Sequence, residues 1–277
     1  MSNEQERIKQ LENLALDLRQ QIVQIARDCP VGIHVGGSLS IAEILTVLYY
    51  DVMNIDPDDP DKADRDRFIL SKGHANAALV SVLAMRGFFP VKELASFDTL
   101  GSPYAMHADR HIAGTECSAG SLGHGLPIAV GMALTAKMDS LSWKTYATVG
   151  DGEMQEGSIW EALMSANQFK LNNLTVLLDR NRFSLDGPIK DIMTLEPLAD
   201  KVKAFGWHVL EVDGHSVGEL RTALAVSSDR PKMIIANTTK GRGLPFLANM
   251  TKSHYARLDD AQLKTALDII NAERVSL

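Results

Sequence analysis

Cysteine is nearly missing from this chain: Cys29 and Cys117 are the only two in 277 residues, they lie far apart, and no CxxC occurs. That argues against a disulfide framework and makes a reducing cytoplasm the simplest inference, with each cysteine a small buried hydrophobe. Long apolar runs are also missing, which excludes a membrane-spanning helix. The polar start, Met1-Ser2-Asn3-Glu4-Gln5-Glu6, has no signal-peptide core. There is no excess of positive charge either. Lysine and arginine number 28 against 35 aspartate and glutamate, a net charge of −7, so the chain offers no footprint for nucleic acid or an acidic membrane surface. Neither repeats nor low-complexity segments occur. What is there is ordinary for a soluble globular protein: 45% hydrophobic and 23% charged residues, in a length that suits one large domain or two small ones.

The hydrophobic pattern alternates between helix and strand. Ile8, Leu11, Leu14, Ala15, Leu18, Ile22 and Ile25 recur with the helical period, and Pro30 stops that helix. A second helix is expected from Ile41 to Tyr50, then an acidic surface loop from Asn54 to Asp66. Phe68-Ile69-Leu70 reads as a short strand, followed by a helix of small residues from Ala75 to Arg86. Loop signals fill Gly101 to Gly125, and an Ala/Gly-rich helix follows from Pro127 to Lys137. Further strands are expected at Thr145–Val149, Leu174–Leu178, Trp207–Val212 and Lys232–Asn237. Helices are expected at Gly157–Phe169, Pro197–Phe205, Val217–Ser227 and beyond Leu258. The alternation predicts an α/β fold: a doubly wound, mostly parallel sheet flanked by helices. With no stretch resembling a linker, residues 1–277 read as a single domain with an N-terminal helical extension.

Gly150-Asp151-Gly152 closes one of these strands, and Asn181 closes the next. Ligands of open parallel sheets bind beyond the carboxyl ends of strands. An Asp carboxylate and an Asn carbonyl are hard oxygen donors, suited to Mg²⁺ or Ca²⁺. Mg²⁺ takes few protein ligands and fills its shell with water and phosphate, so the pattern points to a metal-bridged diphosphate. Gly150 and Gly152 permit a tight turn and close approach of backbone to phosphate.

Histidine placement is the second signal. His34, His74, His107, His111, His124, His215 and His254 sit in glycine-rich, polar or loop-like sequence, which fits a polar active site. His107 and His111 have the spacing of a metal pair on a helix. Asp109 and Gly114 argue for a loop there, however, and no third nitrogen or sulfur ligand stands nearby, so zinc is not expected.

Taken in order, the motifs resemble the N-terminal half of a transketolase, specifically the small subunit of a split bacterial-type enzyme. They are His34-Val35-Gly36-Gly37-Ser38-Leu39-Ser40, Asp64 through His74, Gly120-Ser121-Leu122-Gly123 and Gly150 through Gly157. Asn181 with Asp186-Gly187, Asp213-Gly214-His215 and Thr238-Thr239-Lys240-Gly241 complete the series. The resemblance implies the diphosphate-binding domain of the thiamine diphosphate fold. Mg²⁺, replaceable by Ca²⁺ or Mn²⁺, would be held by Asp151, Asn181 and the carbonyl of Phe183. His74 and Gly152 would contact the diphosphate, with Gly150 beside them. Gly120, Ser121, Leu122 and His124 would lie on the thiamine side, and His34, His107 and His254 would face the substrate. Glu156 matches a glutamate buried at the family's subunit interface, Glu161 falls near another, and Glu153 is taken as an exposed carboxylate beside the cofactor.

The resemblance also implies what this chain does not carry. The family's pyrimidine-binding domain, whose glutamate activates the cofactor, would begin where this sequence ends at Leu277. A C-terminal partner subunit supplying that glutamate, in an α₂β₂ heterotetramer, is therefore expected, acting on sugars by transfer of a two-carbon ketol unit. Ile33-His34-Val35, Gly123-His124-Gly125 and Ser253-His254-Tyr255 depart from the family's usual residues. These departures bear on the substrate more than on the cofactor. A 1-deoxyxylulose-phosphate-type synthase, a 2-oxoacid decarboxylase component and a non-catalytic scaffold are the other readings. Retention of Asp151, Asn181 and His74 argues against the scaffold.

Overall fold

The protein, described by a computed structural model over residues 3–277, is built on one sheet of five parallel strands. These are β1 (Arg67–Leu70), β2 (Thr145–Gly150), β3 (Leu174–Arg180), β4 (His208–Asp213) and β5 (Lys232–Asn237), in the order β1-β2-β3-β5-β4. Both faces of the sheet are covered. Phe68, Leu70, Tyr146, Leu177, Ile234 and Ala236 point to one side, and Ile69, Ala147, Val149, Val176, Leu178, Met233 and Ile235 to the other. This two-residue alternation of apolar side chains on both sides is what a sheet sandwiched between helix layers requires.

The first face packs against α1 (Asn3–Asp28), α3 (Ala42–Val47), α4 (Asn76–Arg86), α9 (Val217–Ala225) and α10 (Asp260–Ser276). The second packs against α5 (Gly125–Met138), α6 (Gly157–Gln168), the single-turn α7 (Ile189–Ile192) through Ile189, and α8 (Leu198–Ala204). Local chemistry sets the helix starts: Ser216 accepts from the Glu219 amide, and Asp259 with Gln262 forms a reciprocal capping box. The N-terminal helix α1 lies against α3, α4 and α10 and buries Leu11, Leu18, Ile22 and Val23 completely. Among the described residues, no helix is long and apolar enough to cross a membrane.

Three local differences from the sequence pattern stand out. The glycine-rich stretch after His34 forms a short buried helix, α2 (Val35–Leu39), rather than a loop. Glycine disfavours helix, but here it permits close packing: a Cβ at Gly36 would stand 2.6 Å from the Ser253 carbonyl oxygen. The helix expected over Ile41–Tyr50 becomes α3 followed by a wider π turn, Leu48–Val52. Strand β3 runs past its apolar residues to Arg180, because Asp179 and Arg180 continue the ladder beside Ala236 and Asn237 of β5.

Asp179 is charged, fully buried and central to the carboxyl edge of the sheet. Its carboxylate accepts from Lys72 Nζ, Ser40 Oγ at 2.7 Å, Asn181 Nδ2 at 2.8 Å and Thr238 Oγ1. Burial would raise its pKa, but the Lys72 ammonium and these hydrogen bonds outweigh burial and hold it below the usual value. Lys72 also donates to the Gly37 carbonyl at 2.9 Å. The group thereby joins the segments after α2, β1, β3 and β5. Removing the cation leaves a buried carboxylate unpaired, so Lys72→Met is expected to cost about 3–5 kcal/mol in urea unfolding; a loss below about 1 kcal/mol would match a surface pair instead.

Candidate active site

Beyond the strand ends lies a cleft of about 380 Å³. Asp151 enters it from the end of β2, itself only 3% exposed. Its carboxylate accepts from the Gly152 amide at 2.8 Å and from the Arg182 amide. Arg182 takes a left-handed φ of 68°, uncommon for a residue other than glycine, and this turns its N–H toward Asp151. Burial, and then the charge of Asp179, push the Asp151 pKa up to about 7. Neighbouring amides alone do not neutralise this carboxylate.

Asn181 follows β3 and is locked at both ends. Its Nδ2 donates to Asp179 at 2.8 Å, and its Oδ1 accepts from the Phe183 amide at 3.1 Å. The Phe183 carbonyl takes only a long 3.4 Å contact from Lys240 Nζ, which donates more closely to the Ser184 carbonyl at 2.7 Å. Carboxylate, amide oxygen and peptide oxygen are a hard donor set with lone pairs to spare, which fits Mg²⁺. No group of three or more His, Cys, Asp or Glu side chains arranged to hold a metal ion occurs among the described residues.

Opposite stand the imidazoles. His34 lies 5.2 Å from His74, 5.8 Å from His107 and 5.2 Å from His254, centroid to centroid, while His74 and His254 stack at 5.4 Å. They come from four separate segments. Burial first, then neighbouring cations and imidazoles, push the pKa of His34 down to about 4, that of His254 to about 3, and that of His74 well below its ordinary value. All three are therefore neutral near pH 7. Lys240 Nζ donates to His254 Nδ1 at 3.1 Å, which leaves the His254 proton on Nε2. His34 Nδ1 is buried and has no hydrogen-bond partner within the protein, as suits a nitrogen kept for a polar ligand.

The structure corrects the reading of Glu153 as an exposed carboxylate. It is 2% exposed and accepts from Ser71 Oγ at 2.5 Å, the Gly123 amide at 3.0 Å and the Gly150 amide at 3.1 Å. It fastens the Gly120–Gly125 loop to the ends of β1 and β2. Its position one residue beyond a glycine turn suggests exposure only because periodicity carries no information there. Gly123 has a φ of 82°, and a Cβ there would meet Ser158 Oγ at 2.5 Å, so the loop needs glycine at that point.

Gly120, Leu122, Gly150, Gly152, Asp151, Asn181, Phe183, Glu156 and the clustered histidines line the cleft. Ser121 and His124 are exposed outside that lining, with His124 Nδ1 3.2 Å from the Leu122 carbonyl. Glu161 is exposed on α6. His111 is exposed and pairs with Asp109 in a loop, and His215 belongs to a buried network away from the cleft. Lys72 and Lys240 do not stand out as site residues in the sequence, yet both are buried lining residues. Their signal is present in Ser71-Lys72-Gly73-His74 and Thr239-Lys240-Gly241, where each cation precedes a glycine.

The family model described as "Transketolase, thiamine diphosphate binding domain" matches residues 4–273. One of the subunits of the apulose-4-phosphate transketolase of Phocaeicola vulgatus is 40% identical over 252 residues, 89% of each chain. The 6-deoxy-6-sulfo-D-fructose transketolase subunit SqwG of Clostridium sp. is 43% identical over 244 residues, covering 87% of this chain and 89% of that one. The solved transketolase of Leishmania mexicana superposes with a TM-score of 0.82 at 31% identity over 97% of this chain. This chain spans 46% of that structure's length and 40% of the human transketolase, to which it is 39% identical.

The raised pKa of Asp151 has a signed consequence. The folded metal-free state favours the protonated carboxyl, so its contribution is fully present below the unfolded pKa near 3.8 and is lost as pH rises toward 7. Relative to Asp151→Asn, the metal-free wild-type chain is therefore expected to lose stability between about pH 4 and 7 and to level off above, measured by denaturant unfolding across pH. Parallel pH profiles for the two chains would contradict the assignment.

Proposed function

The chain belongs to the transketolase thiamine diphosphate-binding domain family, and from that premise we propose that it is the diphosphate-binding subunit of a two-polypeptide transketolase. One observation carries the reading: neutral imidazoles converge over a hard-oxygen site at the carboxyl ends of parallel strands. The close similarity to proteins named as transketolase subunits favours ketol transfer over the decarboxylase, synthase and scaffold readings.

In this proposal Asp151, Asn181 and the Phe183 carbonyl hold Mg²⁺. The dication supplies the countercharge that the buried Asp151 lacks. His74, Gly152 and Lys240 face the diphosphate, and Gly120 and Leu122 lie along the rest of the cofactor. Thiamine diphosphate, when bound, supplies the nucleophilic carbon and the electron sink, so no protein nucleophile is needed. His34, His107 and His254 hydrogen-bond the sugar and move protons at its carbonyl and hydroxyl oxygens. In His34 and His254 the neutral imidazole offers one N–H donor and one acceptor nitrogen, which suits hydroxyl recognition. Glu156, at the exposed end of the cleft, is positioned to meet a neighbouring subunit.

The partner subunit brings the pyrimidine-binding domain and its activating glutamate, in an α₂β₂ heterotetramer. Exposed Leu185, Ile192 and Met193 beside the cleft support a covered rim in the assembly. The ketose donor is assigned to the acidic class, with a terminal phosphate or sulfonate, in keeping with the names of the similar subunits. Residues 1–277 act as one domain, and the two unpaired cysteines fit a cytoplasmic setting.

The test is reconstitution. Neither polypeptide alone is expected to cleave ketose, whereas the purified pair with Mg²⁺ and thiamine diphosphate transfers a two-carbon unit to an aldose. Asp151→Ala in the pair should weaken cofactor binding by about 100-fold or more, read by calorimetry, since a metal-ligand carboxylate is lost. Turnover by the isolated chain would overturn the split assignment, and unchanged affinity in Asp151→Ala would overturn the metal site.

A further inference from the structure

His215 and its Asp213-Gly214-His215 motif have no place in the cleft, yet both nitrogens of its ring are engaged. It is only 10% exposed. Its Nδ1 lies 3.0 Å from Glu43 Oε2, and its Nε2 accepts the backbone N–H of Thr239 at 2.8 Å. The other Glu43 oxygen receives the buried guanidinium of Arg19. Glu43 is an anion here: burial works against ionisation, but Arg19 and the His215 hydrogen bond outweigh it. A carboxylate only accepts, so Nδ1 must carry the proton and Nε2 must present its lone pair.

What that lone pair holds is the turn after β5. Thr239 immediately precedes Lys240, whose ammonium reaches the Ser184 carbonyl, the Phe183 carbonyl and His254 Nδ1 at 2.7, 3.4 and 3.1 Å. Gly241 is tied in turn to the Gly36 carbonyl at 3.0 Å. A continuous path of hydrogen bonds and backbone therefore leads from α1 and α3 to the loop that follows Asn181.

We infer that His215 is a positioning residue: with its tautomer set by the Arg19–Glu43 pair, it anchors the Thr239–Lys240 turn so that the Lys240 ammonium stays fixed between the metal-facing loop and His254. Its effect on cofactor affinity rests on the function proposed above, whereas the anchoring of Lys240 does not.

Two near-isosteric variants separate the roles of the two ring nitrogens. His215→Gln keeps an acceptor close to the Nε2 position, and His215→Asn keeps a donor close to the Nδ1 position. In the cofactor-free complex with the partner subunit, Lys240 acylation by an amine-reactive ester is followed by peptide mass spectrometry, with Lys72 as internal control. Lys240 labelling is expected to rise about tenfold in His215→Asn and to stay within about twofold of wild type in His215→Gln, with Lys72 unchanged, as loss of one hydrogen bond to the turn would give. Thiamine diphosphate affinity at saturating Mg²⁺ should follow the same order, falling about tenfold in His215→Asn, or about 1.4 kcal/mol. Equal behaviour of the two variants, or a parallel rise at Lys240 and Lys72, would overturn the inference in favour of general loosening. A wild-type complex that binds no thiamine diphosphate would refute the proposed function, while the labelling comparison would still decide the role of His215.

Discussion

The arrangement depends on burying the Asp179 carboxylate at the end of the central strand β3. A carboxylate cannot stay ionised in a low-dielectric interior unless donors surround it. Here the donors are Ser40, Lys72, Asn181 and Thr238, one from each of four segments that meet beyond the sheet. The electrostatic demand of one residue thus fixes where the cleft walls stand. The parallel register brings β1, β2, β3 and β5 to a common edge, and Asp179 converts that edge into a preorganised site.

Glu153 repeats the device one strand away. Its acceptors are filled by Ser71, Gly123 and Gly150, and the loop facing the cleft is held by the result. Asp151 has fewer donors than either, since only two peptide N–H groups answer it, against three donors on Glu153 and four on Asp179. Burial raises the pKa of Glu153 as well, so of the three buried carboxylates at the carboxyl ends of the strands the proposed metal ligand is the one with the fewest donors. The basic side of the cleft shows the complementary tendency, since burial and Lys72 push the Lys240 pKa down to about 8. A metal dication beside Asp151 and a diphosphate beside Lys240 would relieve both tensions together, which is why the two halves of the proposed ligand suit this cavity.

Much of this is legible in the sequence. Strand and helix periodicity locates all five strands and the longer helices, but not the short helix Val35–Leu39 or the π turn that ends the helix expected over Ile41–Tyr50. Gly150-Asp151-Gly152 and Asn181 announce an oxygen site because their residue types carry the chemistry themselves. The histidines are legible only as a set. His34, His74, His107 and His254 converge, whereas His111 remains a solvent-facing loop residue and His215 serves a buried network. Glycine-rich or polar flanks mark all of them similarly, so sequence context does not tell a cleft imidazole from a structural one. Glu153 shows the same limit, since a carboxylate looks exposed until the three donors that enclose it are placed in space.

The sequence by itself determined the fold class and the family, because apolar spacing and motif chemistry are local properties written residue by residue. Only the tertiary structure decided which charged groups are buried together and what state each holds. Lys72 finds Asp179 across 107 positions, Ser71 finds Glu153 across 82, and His215 finds Glu43 across 172. Partners so distant are chosen by strand order and helix packing, and their protonation follows from the resulting desolvation and charge, which no single stretch of sequence contains.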